Sequence, residues 1–287
     1  MTQKYTILQD VTTEHAHRTL YRIKALQDFG HVKAGDIGGW VENENNLSQE
    51  GNCWIYDNAK VYDKATVSDN AQIHSYAEIF GCAKVYQNAT IWDKAQVGHI
   101  ARIYGNAEIH ATAKVFNSVR VYQNAFVGDN ALLHEEAKVY GNAQVYGETV
   151  ICGNAEIYGS AWVYGNASVY GVAKVYHQAK VYENAIVRGN TKVCGKARVN
   201  GYAIISGDAI IESTDDYIVL RNNWSSGRYF TYTRSNKMYK VGCFYGTGDT
   251  LIEKAYKDSQ LSGDCYKASV QYVQLLEQAF THNKQKQ

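Results

Sequence analysis

The chain has 287 residues and carries 29 Lys and Arg against 28 Asp and Glu, so no global charge bias points to nucleic acid or to a membrane surface. No apolar run is long enough to cross a bilayer, and the opening MTQKYTILQD lacks a signal-peptide pattern. The six cysteines form no CxxC pair and no metal-type spacing. These features predict a reduced, cytoplasmic protein.

The first segment, residues 1–52, predicts an N-terminal β cap. KYTILQD and LYRIKAL are typical of short strands, and AGDIGGW is typical of a glycine-rich turn. A cap is expected here because an open strand edge at the end of a sheet invites aggregation.

A six-residue repeat occupies residues 53–212 without an insertion or a deletion. Stepping by six from Ala59 to Ala209, 23 of 26 positions are alanine, and the exceptions are Val119, Thr149 and Thr191. Two residues after each of these positions, all 26 residues are Val, Ile or Leu. The chain also contains no proline, which suits strands whose N–H groups all donate to a neighbour. A period of six predicts short strands joined by regular corners.

The unit [VIL]-x-x-x-A-x resembles the hexapeptide repeat of left-handed parallel β-helices. In that family three hexads close one triangular coil of about 18 residues. The resemblance implies an all-β fold with about nine coils over residues 53–212, in which Val or Ile fills the core and Ala fits the corner. Residues one coil apart are then expected to lie directly above one another on a flat face.

The last segment, residues 213–287, predicts a small α+β domain. DYIVL, RYFTYTR and MYKVGCFYG are typical of strands, whereas DTLIEKAYKDS and GDCYKASVQYVQLLEQAF are typical of helices. The turn before the first helix contains Gly246, Gly248 and Asp249, and exposed N–H groups at a helix start can hold a phosphate. We expect instead that Asp249 acts as the N-cap of that helix.

The first of the three faces, here called the tyrosine face, contains the hexads that begin at Ala65, Ala83 and Ala101. Basic residues and tyrosines form neighbouring columns on it, which Glu156 interrupts; the candidate binding residues are Lys84, Tyr86, Arg102, Tyr104, Arg120, Tyr122, Lys138, Tyr140, Tyr158, Lys174 and Tyr176. Basic side chains beside aromatic rings favour an anionic ligand or partner, such as nucleic acid, a nucleotide signal or a host protein. The alternative is that the columns only stabilise the sheet and oppose aggregation.

The second face, here called the apolar face, contains the hexads that begin at Ala59, Ala77 and Ala95. Its outward positions and corner carry apolar residues where other faces are polar, namely Leu132, Val150, Val172, Ile186 and Ile204. Such a strip predicts an interface. We expect it to be covered by a second copy of the chain, giving a homo-oligomer, or by the C-terminal domain.

Enzymatic chemistry has one candidate residue. Many proteins with this repeat are acyltransferases, and that resemblance implies acetyl-CoA as acyl donor and a histidine base, for which His110 is the candidate. His74 and His110 lie two coils apart on the third or mixed face, about 10 Å, which is too far to share a metal. The sequence therefore predicts no metal site and no resident cofactor.

The segments flanking the repeats carry a further resemblance. LYRIKALQDF and GDIGGWVENENNLSQEGNCWIY before the repeats, and RYFTYTRSNKMYKVGCFYGTGDTLIEKAYKDS after them, resemble phage- and prophage-encoded proteins with NAxVYG hexads. That resemblance implies a bacterial host and a role as host-defence antagonist. The sequence thus predicts a non-catalytic binding or scaffold protein, with a hexapeptide-repeat acyltransferase as the alternative.

Overall fold

The computed structural model describes residues 3–284. Its N-terminal strands are β1 (Tyr5–His15), β2 (Arg18–Ala25) and β3 (Ile37–Val41), which pair antiparallel in that order. β3 then runs parallel to the first strand of the apolar face, with Val41 opposite Val61. After the short 3-10 helix Glu44–Asn46, Leu47 bridges to Val67 in the same sense. The N-terminal segment therefore adds a coil in front of the repeats.

The repeats form a parallel β-solenoid, which confirms the predicted fold class. Each coil contributes one two-residue strand to each of three sheets, and the whole solenoid has about ten turns. Residues 18 apart lie opposite one another, as Arg102 does to Lys84 and to Arg120. The N–H group of Lys84 donates to the carbonyl of Ala101 at 2.9 Å, and the same pattern repeats along the chain. Each coil is thereby hydrogen-bonded to the next.

The strands of the repeats are numbered β4 to β30 in chain order. The tyrosine face contains Thr66–Val67, Lys84–Val85, Arg102–Ile103, Arg120–Val121, Lys138–Val139, Glu156–Ile157, Lys174–Val175, Lys192–Val193 and Ile210–Ile211. The apolar face contains Lys60–Val61, Glu78–Ile79, Gln96–Val97, Lys114–Val115, Leu132–Leu133, Val150–Ile151, Ser168–Val169, Ile186–Val187 and Ile204–Ile205. The mixed face contains Trp54–Ile55, Gln72–Ile73, Thr90–Ile91, Glu108–Ile109, Phe126–Val127, Gln144–Val145, Trp162–Val163, Lys180–Val181 and Arg198–Val199.

The corners explain why the repeat alternates Gly with Asp, Asn or Gln. Asp63 occupies the left-handed region at φ 59°, and its carboxylate accepts the N–H group of Gly81 one coil further at 2.9 Å. Gly81 holds the same position in its own coil at φ 69°. A glycine meets no Cβ penalty there, and a short polar side chain offsets that penalty by a local hydrogen bond. Either choice preserves the register of the stack.

The C-terminal segment matches the predicted α+β character. Its antiparallel sheet consists of β31 (Tyr217–Arg221), β32 (Tyr229–Thr233), β33 (Met238–Val241) and β34 (Phe244–Gly246), and the helices α1 (Gly248–Asp258) and α2 (Gln260–Lys284) follow. MYKVGCFYG is two strands, because the chain turns at Gly242 with φ 50°. The predicted N-cap was wrong. Thr247 caps α1 by accepting the N–H group of Thr250, and Asp249 lies in the first turn.

This C-terminal sheet covers the open end of the solenoid. The last coil has no further coil to accept its N–H groups. The N–H of Ile204 donates to Thr231 Oγ1 at 2.9 Å, and that of Ile210 donates to Ser235 Oγ at 2.8 Å. Polar side chains of the C-terminal segment thus satisfy donors that would otherwise form an exposed strand edge. Among the described residues, no helix has the length and apolar character needed to span a membrane.

Candidate functional site

The tyrosines of the tyrosine face form one continuous stack. Consecutive ring centroids lie 4.8–5.0 Å apart, and the planes are within 8° of parallel, for Tyr86, Tyr104, Tyr122, Tyr140, Tyr158 and Tyr176. The spacing equals the strand spacing of the sheet, so the backbone register sets it. Burial raises the pKa of Tyr140 to about 12, with Glu156 adding to the effect. This phenol is therefore uncharged at neutral pH.

The basic column beside the stack consists of two halves, and one of them contains the acidic residue Glu156. Its carboxylate contacts Lys138 Nζ at 3.0 Å and Lys174 Nζ at 3.2 Å. Burial raises the pKa of Glu156, but the hydrogen bonds from both ammonium groups outweigh burial and leave that pKa below its usual value. Glu156 therefore neutralises one of the two positive charges that flank it in the predicted basic row.

The other half of the column remains cationic. Lys84, Arg102 and Arg120 are exposed and stand opposite one another in register. Within residues 3–284 none of the three makes an ion pair. Like charges at the strand spacing repel, so this half gains most from an anionic partner.

An amide column lines the adjacent corner. Asn70 donates to Asn88 at 3.0 Å, and the same contact repeats at 3.0–3.1 Å through Asn106, Asn124 and Asn142. Asn88, Asn106 and Asn124 each use both the N–H₂ group and the oxygen on their neighbours. This column therefore serves to hold the coils in register.

The apolar face keeps its predicted strip at the surface. Leu132 lies opposite Val150 in register, and Ile186 lies opposite Ile204, all four partly exposed. Val172, at the corner, is 45% exposed. Among the described residues, the hydrogen bond from the Ile204 N–H group to Thr231 Oγ1 joins the C-terminal sheet to the end of this strip. The expectation that a second copy covers the strip stays a prediction.

His110 has the surroundings of a positioned base. Its Nε2 lies 3.1 Å from Glu108 Oε2, because residues two apart on a strand share a face. The imidazole is 30% exposed. The ring of Phe126 lies 5.2 Å from it and that of Trp92 lies 6.2 Å from it. A carboxylate that accepts from one ring nitrogen leaves the other free to take a proton.

His74, the other histidine considered on the mixed face, has a different role. Its ring is stacked between Tyr56 at 4.2 Å and Trp92 at 3.6 Å. Burial lowers its pKa to about 4. His74 is thus an uncharged member of an aromatic column.

One group of potential metal ligands was missed by comparing histidine spacings alone. The ligand atoms of His134, Glu135 and Cys152 all lie within 4.8 Å of one another. His134 and Cys152 are 18 residues apart, so the coil length predicts that they lie next to each other in adjacent coils. Burial, with the charge of Glu135 adding to it, raises the pKa of the Cys152 thiol. A metal would need this thiol in its deprotonated form.

Comparisons with known proteins match a short part of the chain. No family model matches the chain. A curated protein from Escherichia coli (strain K12), described as "Uncharacterized acetyltransferase YdcK", is 58% identical to this chain over 38 residues. The matched segment spans 13% of this chain and 12% of that relative's length. Together with the solenoid of about ten turns, this similarity fits a hexapeptide-repeat β-helix.

Proposed function

We propose that this protein is a hexapeptide-repeat acyltransferase that takes its acyl group from acetyl-CoA. The observation that carries the proposal is the 38-residue similarity to a protein described as an acetyltransferase. The contact between His110 and Glu108 supplies a matching chemistry, since acyl transfer needs a base to deprotonate the acceptor. These observations support acyl transfer over the non-catalytic function that the surface columns alone favour.

The proposed step uses the two ring nitrogens of His110 differently. Nε2–H donates to Glu108, so Nδ1 carries the lone pair. Nδ1 takes the proton of an acceptor hydroxyl or amine while the acceptor atom attacks the thioester carbonyl. The carbon–sulfur bond then breaks, and coenzyme A leaves as a thiolate that takes the proton back from the His110 imidazolium. Glu108 stabilises the imidazolium that forms in this step.

The test measures the thiol released from acetyl-CoA in the presence of hydroxyl and amine acceptors. The full chain is expected to release thiol above the uncatalysed rate, and His110→Gln is expected to lower that rate by about 100-fold or more. His134→Gln is the matched control, because it removes the same residue type from the apolar face. The proposal fails if no acceptor raises thiol release, or if His110→Gln keeps the parent rate.

A second candidate function is binding of an anionic partner along the tyrosine face. It is supported by the exposed Lys84, Arg102 and Arg120 beside a tyrosine stack, a combination typical of surfaces that bind single-stranded nucleic acid. A host-defence target for such binding remains a prediction from the resemblance to phage proteins.

Charge reversal tests this second function. Arg102→Glu with Arg120→Glu is expected to abolish binding of a labelled oligothymidylate at low ionic strength, measured by fluorescence anisotropy. Lys114→Glu is the control, because Lys114 is an exposed cation on the apolar face. Retention of the parent affinity by the folded double variant would exclude the tyrosine face as the binding surface.

A further inference from the structure

The tyrosine stack stops at Tyr86 because the preceding coil has a serine at the same position. Ser68 lies one coil before Tyr86, and the neighbouring Thr66 lies opposite Lys84 in register. Tyr104 covers one face of the Tyr86 ring at 4.9 Å, and no ring of residues 3–284 contacts its other face. At the opposite end, Cys194 holds the position one coil after Tyr176 and is 5% exposed. Among the described residues, a small hydroxyl side chain thus precedes the stack at Ser68, and a buried cysteine follows it after Tyr176.

A surface depression occupies the place of the missing ring. Its volume is about 350 Å³, and it is lined by Thr66, Ser68, Lys84, Tyr86 and Arg102. Ligand pockets begin at about 300 Å³, so the depression has room for one small ligand. Its lining combines two hydroxyl groups, an ammonium group and a guanidinium group with one aromatic ring. These groups suit a ligand that is both flat and anionic.

The charge around the depression is positive on balance. Lys84 and Arg102 line it, and Arg120 follows in the same column. One carboxylate, that of Asp69, lies near the Tyr86 phenol, and its Oδ2 accepts the N–H group of Gln87 at 2.9 Å. Two lining cations thus face one carboxylate that already has a hydrogen-bond donor. A phosphate would find more favourable than unfavourable charge here.

We propose that this depression binds a nucleoside monophosphate, whose base stacks on Tyr86 as the next ring of the column. The phosphate lies between Lys84 and Arg102, and the hydroxyls of Thr66 and Ser68 donate to its oxygens or to the sugar. Stacking of a base on an aromatic side chain tolerates any base, so the site selects for a flat anion rather than for one nucleobase. The inference deepens the second proposed function and rests on it, because it assigns a ligand class to one end of the same face.

Isothermal titration calorimetry at low ionic strength tests the site with adenosine monophosphate, adenosine and inorganic phosphate. Adenosine monophosphate is expected to bind at least about ten-fold more tightly than either fragment, because only the whole molecule uses both the ring and the cations. Equal binding of adenosine would show that the cations take no part, and absence of any binding would show that there is no site. Either result overturns the inference.

Ser68→Tyr is the decisive variant, because it places a protein ring where the ligand's base would stack. It is expected to weaken binding of adenosine monophosphate by about ten-fold or more while the thermal midpoint stays unchanged or rises. Ser168→Tyr, on the apolar face, is the matched control and should keep the parent affinity. Unchanged binding by folded Ser68→Tyr overturns the inference.

Two further measurements keep the outcomes distinct. If Ser68→Tyr fails to fold, the double variant Lys84→Gln with Arg102→Gln replaces it. This variant is expected to bind adenosine monophosphate more weakly and adenosine with unchanged affinity. An unchanged affinity for the monophosphate overturns the inference. Oligothymidylate binding is measured on the same samples and on the Arg120→Glu variant, because Arg120 is on the tyrosine face but does not line the depression. Absence of adenosine monophosphate binding by the parent chain, together with retained, Arg120-dependent oligothymidylate binding, would refute this inference and leave the second function intact.

Discussion

The imidazole ring of His74 lies face to face with the indole ring of Trp92, with centroids 3.6 Å apart and planes 4° apart. Tyr56 covers the other face of the imidazole at 4.2 Å. Protonation would place a charge in this half-buried column, and burial accordingly lowers the pKa of His74 from 6.5 to about 4. This relationship links the stability of the solenoid to pH.

The sign of that dependence follows from proton uptake. Between pH 6.5 and about 4 the unfolded chain binds a proton at His74 and the folded chain does not. The contribution of His74 to stability is therefore present in full above pH 6.5 and is lost as the pH falls toward 4. His74→Phe keeps a ring in the column and removes the titration, so its thermal midpoint should fall less on acidification. Identical pH profiles for parent and variant would contradict this, and exposed His31→Gln serves as control.

The tyrosine stack should contribute measurably to stability. Tyr122 has a ring neighbour on each side, Tyr104 at 5.0 Å and Tyr140 at 4.8 Å. Each aromatic pair contributes about 0.5–1.5 kcal/mol beyond area burial, so Tyr122→Ala should lower the free energy of unfolding by roughly 2 kcal/mol. Tyr122→Phe keeps both ring contacts and should stay near the parent in denaturant unfolding. Equal losses in the two variants would assign the effect to the hydroxyl.

Removing the charge of Glu156 should lower the thermal stability through repulsion between the remaining cations of the basic column. Glu156→Gln breaks the ion pairs to Lys138 and Lys174, each of which is worth at most about 1 kcal/mol at the surface. The thermal midpoint should fall at low ionic strength and recover with added salt, because salt screens the released repulsion. Glu253→Gln, which removes an exposed carboxylate of α1, is the control. A loss that salt does not reduce would point to packing rather than charge.

Lys4 should be essential for the N-terminal end of the solenoid. The side chain is 2% exposed, and its Nζ donates to the carbonyls of Glu50, Gly51 and Cys53 at 3.1–3.3 Å. Lys4→Met leaves these acceptors without a donor, which should cost about 1–3 kcal/mol in the free energy of unfolding.

The control for Lys4 is an exposed lysine of the same N-terminal segment. Lys33→Met removes a cation whose side chain is 72% exposed, and its unfolding should change by less than about 0.5 kcal/mol. Chemical denaturation of both variants measures the difference. Equal stability of the two variants would show that water replaces the Lys4 ammonium without cost.

The apolar strip should decide the oligomeric state. If a second copy covers it, Val172→Glu places a charge into the interface and should convert the oligomer into a monomer, as measured by light scattering after size-exclusion chromatography. Val11→Glu is a matched control, since Val11 is 43% exposed on β1. A parent protein that is already monomeric would remove the homo-oligomer prediction.

The sequence by itself determined the architecture and the composition of each face. An uninterrupted six-residue period leaves one register, so the tyrosine stack over Tyr86 and Tyr104 follows from counting 18 residues. The amide column from Asn70 follows from the same counting. Glu156 was visible as an interruption of the basic column, and His110 as a candidate base on the mixed face.

Only the tertiary structure decided which of these residues have partners. Side-chain conformation sets whether Glu156 reaches both Lys138 and Lys174, and whether Glu108 reaches His110. The hydrogen bond from the Ile204 N–H group to Thr231 Oγ1 joins the repeats to the C-terminal segment, and the six-residue period does not extend to that segment. The repeated backbone specifies the position of each residue along the solenoid axis. The hydrogen bonds, the ion pairs and the surface depression beside Tyr86 depend instead on which side chains neighbouring coils place next to one another.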